Sequence, residues 1–135
     1  MSDTYLRIGE LARQSGLSVE AIRYYERRGL ITPSGRLPSG YRTYHPDSLQ
    51  RLHFILRSKD LGFSLEEILE LLNLQQQPER SSAEVKQRVE EKIEFVEQKI
   101  AQLQQLNRSL HQLNDLCCGD GPVSDCPILE FLKDS

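Results

Sequence analysis

Apolar side chains recur along most of this chain at helical spacing, and the breaks in that pattern define its segments. Residues 7–16 place Ile8, Leu11 and Ala12 on one face and stop at Gly16. The short link Gly16-Leu17-Ser18 leads into a second helix over residues 19–28, with Ser18 as its N-cap and Gly29 as its stop. Helix, glycine-containing turn and helix together make the helix-turn-helix pattern. On the second helix Val19, Ile22 and Glu26 share one stripe. Arg23 and Arg27 lie one turn apart on another, a spacing that suits phosphate contacts. An ordinary helical hairpin fits the same spacing.

Residues 32–40 are rich in turn formers, and Tyr41-Arg42-Thr43-Tyr44 has strand character. A short β-ribbon holding Arg36 and Arg42 next to Tyr41 and Tyr44 reads as a wing that grips DNA backbone and minor groove. A solvated surface hairpin accounts for the same residues. Pro46, at the N1 position, opens a third helix with Leu49, Leu52, Ile55 and Leu56 on its apolar side, ending near Gly62. Ser64 and Glu67 form a capping box for a fourth, whose buried face is Leu65, Ile68, Leu69 and Leu72.

A polar break at residues 75–81 separates this head, residues 1–74, from a long helix over residues 82–116. There Val89, Ile93, Val96, Ile100, Leu103 and Leu110 follow a 3.5-residue seam that continues through Asn107 and Asn114. Roughly 35 residues at 1.5 Å each give a helix of about 50 Å. A small head cannot cover so long a stripe. A two-stranded coiled coil covers it, with the seam asparagines fixing register at some cost in stability. The expected fold class is therefore all-α with a small β wing: a winged helix-turn-helix domain, a coiled-coil dimerisation helix, and a loop with a short helix over residues 117–135.

The formal net charge of −3 conceals two halves of opposite sign. Residues 1–62 carry ten Lys/Arg against six Asp/Glu, and residues 63–135 carry seven against fourteen. An acidic total therefore does not exclude DNA as a partner, because local charge governs phosphate contacts. No stretch approaches 18 apolar residues and no signal segment opens the chain, so a cytoplasmic protein without a membrane partner is expected. In that compartment three cysteines, Cys117, Cys118 and Cys126, point to metal binding or thiol chemistry rather than a disulfide framework. A thiol enzyme finds no Cys-x-x-Cys and no plausible His partner, so none is expected. An iron–sulfur cluster normally takes four thiolates, and only three are present.

Several ordered motifs resemble one known family. Arg7-Ile-Gly-Glu-Leu-Ala, Ala21-Ile-Arg-Tyr-Tyr-Glu, Gly29-Leu, Gly40-Tyr-Arg-Thr-Tyr and Leu61-Gly-Phe-Ser-Leu-Glu-Glu-Ile are similar to the MerR transcriptional regulators. The resemblance extends over essentially the whole chain. It is closest to the metal-sensing branch, which includes copper, zinc, cadmium, lead and mercury regulators. It implies a homodimer that binds a palindrome in promoter DNA and distorts the duplex when metal is bound, so that RNA polymerase can engage. It assigns DNA contacts to Arg23 and Tyr25 of the second helix, to Arg36, Tyr41 and Arg42 of the wing, and to Lys59. Tyr25 fits a core position equally well by its spacing, and Arg27 is a further candidate.

The resemblance also assigns the metal to Cys117 and Cys126. Their separation is too wide for a zinc-ribbon knuckle but suits a loop that brings two thiolates to one ion, with Gly119, Gly121 and Pro122 supplying the turn. Cys118 is either a further ligand or a small residue under the loop. In the metal-sensing branch the start of the dimer helix separates ion classes: divalent sensors have cysteine there and copper, silver or gold sensors have serine. Here Ser82 occupies it, its hydroxyl expected to cap the helix without adding a third thiolate. Two thiolates and a monovalent ion leave a net −1 that backbone amides can offset, so Cu(I)/Ag(I) fits Ser82. The Leu113-Asn-Asp-Leu-Cys-Cys-Gly119 segment instead looks more like the zinc-responsive regulators, which keeps Zn(II) and other divalent ions (Cd, Pb, Hg) open. A redox-responsive regulator of the same fold is the remaining alternative.

Overall fold

The computed structural model describes residues 5–134, so the expected domain limits at residues 1 and 135 lie outside it. Its first sharp turn follows helix α1 (Ile8–Ser15), where Gly16 takes φ +77° and its N–H donates to the Ala12 carbonyl. Only glycine enters that left-handed region without steric cost, so the turn of the helix-turn-helix depends on this residue. Helix α2 (Val19–Arg27) then starts at Ser18, whose hydroxyl accepts the Ala21 N–H at 3.1 Å. Such a cap contributes about 1 kcal/mol.

The wing is a three-stranded antiparallel sheet in the order β1 (Leu6–Arg7), β3 (Arg42–Tyr44), β2 (Gly35–Arg36). Leu6 pairs with Tyr44 and Arg7 with Thr43, while Gly35 pairs with Thr43 and Arg36 with Arg42. β1 is an addition to the two-stranded ribbon expected from sequence. Its two residues give no period to detect, and only pairing with β3 makes them a strand.

Helix α3 (Asp47–Asp60) follows Pro46, which stands at the N-cap, one residue before the expected N1 position. Helix α4 (Leu65–Gln75) begins with the expected capping box: the Glu67 N–H donates to the Ser64 hydroxyl, and the Ser64 N–H to the Glu67 carboxylate. Leu11, Ile22, Leu30, Ile31, Tyr44, Leu52, Ile55, Ile68 and Leu72 form the fully buried core. Residues from all four helices and the wing thus meet in one cluster, joined by Leu30 and Ile31 from the segment after α2.

The long helix is α5 (Ser82–Asn114), ending two residues before the expected limit. None of its residues is buried. The chain divides into two compact units, the first ending at Val85 and the second starting at Lys86. The second holds the rest of α5, a single 3-10 turn at Val123–Asp125 and helix α6 (Pro127–Lys133). Among the described residues no helix is long and apolar enough to cross a membrane. Leu52 has no exposed surface in the core, so Leu52→Ala is expected to lower stability by about 2–5 kcal/mol, read from the urea midpoint followed by helical circular dichroism.

A candidate DNA-binding face and a candidate thiol metal centre

In the first unit, α2 and the wing enclose a concavity of about 450 Å³ lined by Arg7, Arg23, Glu26, Arg27, Tyr41 and Arg42 among others. Four arginines around one carboxylate make a strongly cationic surface. Arg23 and Arg27 are exposed on α2, one helical turn apart, as their spacing predicts. The Arg7 guanidinium stacks over the Tyr41 ring, 4.5 Å from its centroid. Tyr41 is 61% exposed, so this platform faces solvent. Arg36 is exposed on β2, opposite Arg42.

Glu26 organises the concavity. One carboxylate oxygen accepts the Tyr44 hydroxyl at 2.5 Å, and the other pairs with the Arg42 guanidinium. Burial raises the Tyr44 pKa, opposed by the positive charges of Arg42 and Arg23, so the phenol keeps its proton and donates it. Tyr25 is only 5% exposed, and its ring belongs to the core cluster. The structure thus takes the core reading of Tyr25 for the ring, leaving its hydroxyl to accept from the Lys59 ammonium at 3.3 Å. Neither Arg7 nor Glu26 is marked as a site residue by the sequence pattern alone. Glu26 shares a stripe with buried Ile22, and a carboxylate at such a position is the signal that could have marked it.

In the second unit Cys117 and Cys126 are partly buried free thiols, and Cys118 is exposed. The Cys117 sulfur accepts the Gly119 N–H at 3.4 Å. Cys126 precedes α6, and its pKa is lowered, first by the backbone N–H of Leu129 and further by Ile128 and the Cys117 side chain, against desolvation. The sulfur makes no regular capping hydrogen bond, but those amides still favour its thiolate. Cys117 and Cys126 are therefore neighbours across the loop. The Cys118 thiol points instead to the Asp120 carboxylate at 3.8 Å. Among the described residues no group of three or more His, Cys, Asp or Glu side chains is placed to hold a metal ion. Two facing thiols with amide donors fit a soft ion that accepts few ligands.

Ser82 is the first residue of α5 and is exposed. The hydroxyl that serves this helix end belongs to Ser81, which accepts the Ala83 N–H at 3.1 Å. The expected capping role of Ser82 is thus taken by its neighbour, because the helix begins one residue after Ser81. Ser82 keeps the other expected property: it carries no thiolate.

Comparison with known proteins identifies the family of the chain. Residues 6–75 match the family described as MerR HTH family regulatory protein, and residues 49–113 match the one described as MerR, DNA binding. The chain is 43% identical over 128 residues to the HTH-type transcriptional regulator CueR of Escherichia coli O6:H1, covering 95% of this chain and 94% of that protein. It is 45% identical over 129 residues to the HTH-type transcriptional regulator ZntR of Escherichia coli K12, covering 94% and 92%. The fold is similar to that of the transcription regulator PbrR691 from Ralstonia metallidurans CH34 in complex with lead(II), with a TM-score of 0.87, 36% identity, and 94% and 98% of the two chains covered. The chain therefore belongs to the MerR family of helix-turn-helix regulators, which are DNA-binding transcription factors and not enzymes.

Proposed function

We propose that this chain is a cytoplasmic, metal-responsive transcriptional activator that binds promoter DNA as a homodimer. Cys117 and Cys126 hold the effector ion, which when bound supplies a fixed positive charge and a covalent tie across the loop. Arg23, Arg27, Arg36, Tyr41 and Arg42 meet the duplex, with Lys59 reaching it beside Tyr25. In this reading the filled loop favours a distorted promoter on which RNA polymerase engages.

One observation carries the choice of ion: two partly buried thiols close one loop, the Gly119 N–H donates to the Cys117 sulfur, and the backbone amides of Leu129 and Ile128 favour the Cys126 thiolate. A monovalent ion between two thiolates leaves one negative charge, which such amides offset without a third ligand. A divalent ion normally takes more ligands, four for zinc. Ser82 at the start of α5 supplies no extra thiolate. Cu(I)/Ag(I) is the favoured effector. A divalent effector is the second reading, favoured by the 36% identity to PbrR691, a lead(II) complex, and by the Cys118–Asp120 pair as a source of further donors.

The dimer rests on α5. Its seam residues Val89, Ile93, Val96, Ile100, Leu103 and Leu110 remain 42 to 64% exposed in a single chain. Burying such a side chain fully contributes roughly 1.5–3 kcal/mol, so a second helix in register gains substantially from covering them.

Replacing both ligands, Cys117→Ser with Cys126→Ser, is expected to abolish metal-dependent transcription in a reporter assay while promoter affinity stays within about twofold, a change under 0.5 kcal/mol. Activation that survives the double change would sink the metal reading. Ser82→Cys is expected to raise Zn(II) affinity in chelator competition by at least about tenfold, the smallest effect that outer-shell partners of metal ligands produce. Tight Zn(II) and weak Cu(I) binding by the unaltered chain would reverse the choice of ion. Arg23→Ala should weaken binding to all duplexes alike and reduce the salt slope by about one, measured by fluorescence anisotropy across a salt series.

A further inference from the structure

Glu26 is an acidic side chain placed in the middle of a cationic surface. Its side chain is only 11% exposed, with Arg7, Arg23, Arg27 and Arg42 lining the same concavity. A carboxylate there opposes phosphate binding by simple charge. Its contacts give it a different use. One oxygen holds Tyr44, which is fully buried and ends β3; the other holds Arg42, which starts β3. Both ends of the central wing strand are thereby tied to one residue of α2.

We propose that Glu26 is a positioning residue for sequence discrimination: it locks the wing to the second helix and keeps Arg42 directed along the concavity. This inference rests on the DNA-binding reading of that face. β3 has three residues and its partners two each, so the sheet's own hydrogen bonds are few. Without Glu26 the wing keeps its pairing but loses a charged tie to α2, and Arg42 becomes free to take any nearby phosphate. A freed cation adds affinity for every sequence, whereas an unfixed wing loses the register that separates the right sequence from the wrong one. Glu26 thus trades general affinity for selectivity.

The test uses the full-length chain, a duplex selected by the unaltered protein from a random pool, and a scrambled duplex of equal length. For Glu26→Gln, binding to the scrambled duplex is expected to hold or tighten, its salt slope steepening by about one. The ratio of selected to scrambled affinity should fall by about tenfold, comparable to one mismatched base pair. An equal rise on both duplexes, or an unchanged ratio, overturns the proposal and leaves Glu26 as charge alone. If Glu26→Gln does not fold, Tyr44→Phe carries the test, because it removes only the hydroxyl; its ratio should fall about fivefold, the scale of one hydrogen bond. An unchanged ratio in a folded Tyr44→Phe likewise overturns the proposal. If selection by the unaltered protein enriches no sequence, the DNA reading itself fails and the proposal with it. A failure in the ratio alone leaves that reading standing.

Discussion

Tyr44 is fully buried, and a phenol removed from water needs a partner for its hydroxyl. The arrangement of the DNA-facing head depends on how that need is met. The hydroxyl donates to Glu26 on α2, so the wing and the second helix are fastened to each other through the core and not only over the surface. Glu26 then has a second oxygen to satisfy, and Arg42 supplies the counter-charge. From this chain of requirements follows the direction of Arg42, held beside Glu26 in the concavity that Arg7, Arg23 and Arg27 also line. Beside Glu26 on α2, Tyr25 enters the same core while its hydroxyl accepts from Lys59 of α3. Two tyrosines therefore tie α2 to its neighbours, Tyr44 to the wing and Tyr25 to α3, each with its ring in the core and its hydroxyl hydrogen-bonded.

The second unit is governed by surface left uncovered. Helix α5 presents a regular apolar seam and buries none of it within the chain. Helix propensity alone does not hold a stripe of that size in water, so the sequence pattern implies a partner helix. The loop after α5 obeys a different rule. Thiols are reactive ligands only as thiolates; the Gly119 N–H donates to the Cys117 sulfur, and the backbone amides of Leu129 and Ile128 lower the Cys126 pKa. Cys118, adjacent in sequence, is turned toward the Asp120 carboxylate. Neighbours in the chain are thus given different chemistry by the direction of one turn.

Much of this architecture was legible in the residues. The four head helices, their caps at Ser18 and Ser64, the wing strand at residues 42–44 and the start of α5 all follow from local rules: spacing, capping chemistry and turn residues act over a few positions. The exposed arginines of α2 follow from helical period in the same way. Strand β1 was not legible, because two residues carry no period. Nor was the cap of α5, where two adjacent serines compete and the backbone decides for Ser81.

By itself, the sequence determined the element order, the cationic head, the acidic body, the seam of α5 and the identity of the three thiols. These are set by residue type and short-range spacing, which a linear chain displays in full. Only the tertiary structure decided that Tyr25 is core, that Glu26 is the tie between wing and helix, and that Cys117 faces Cys126 while Cys118 does not. Each of these is a choice between directions available to the same side chain. That choice is made by packing and hydrogen-bond satisfaction among residues distant in sequence or across a turn, and no local pattern encodes it.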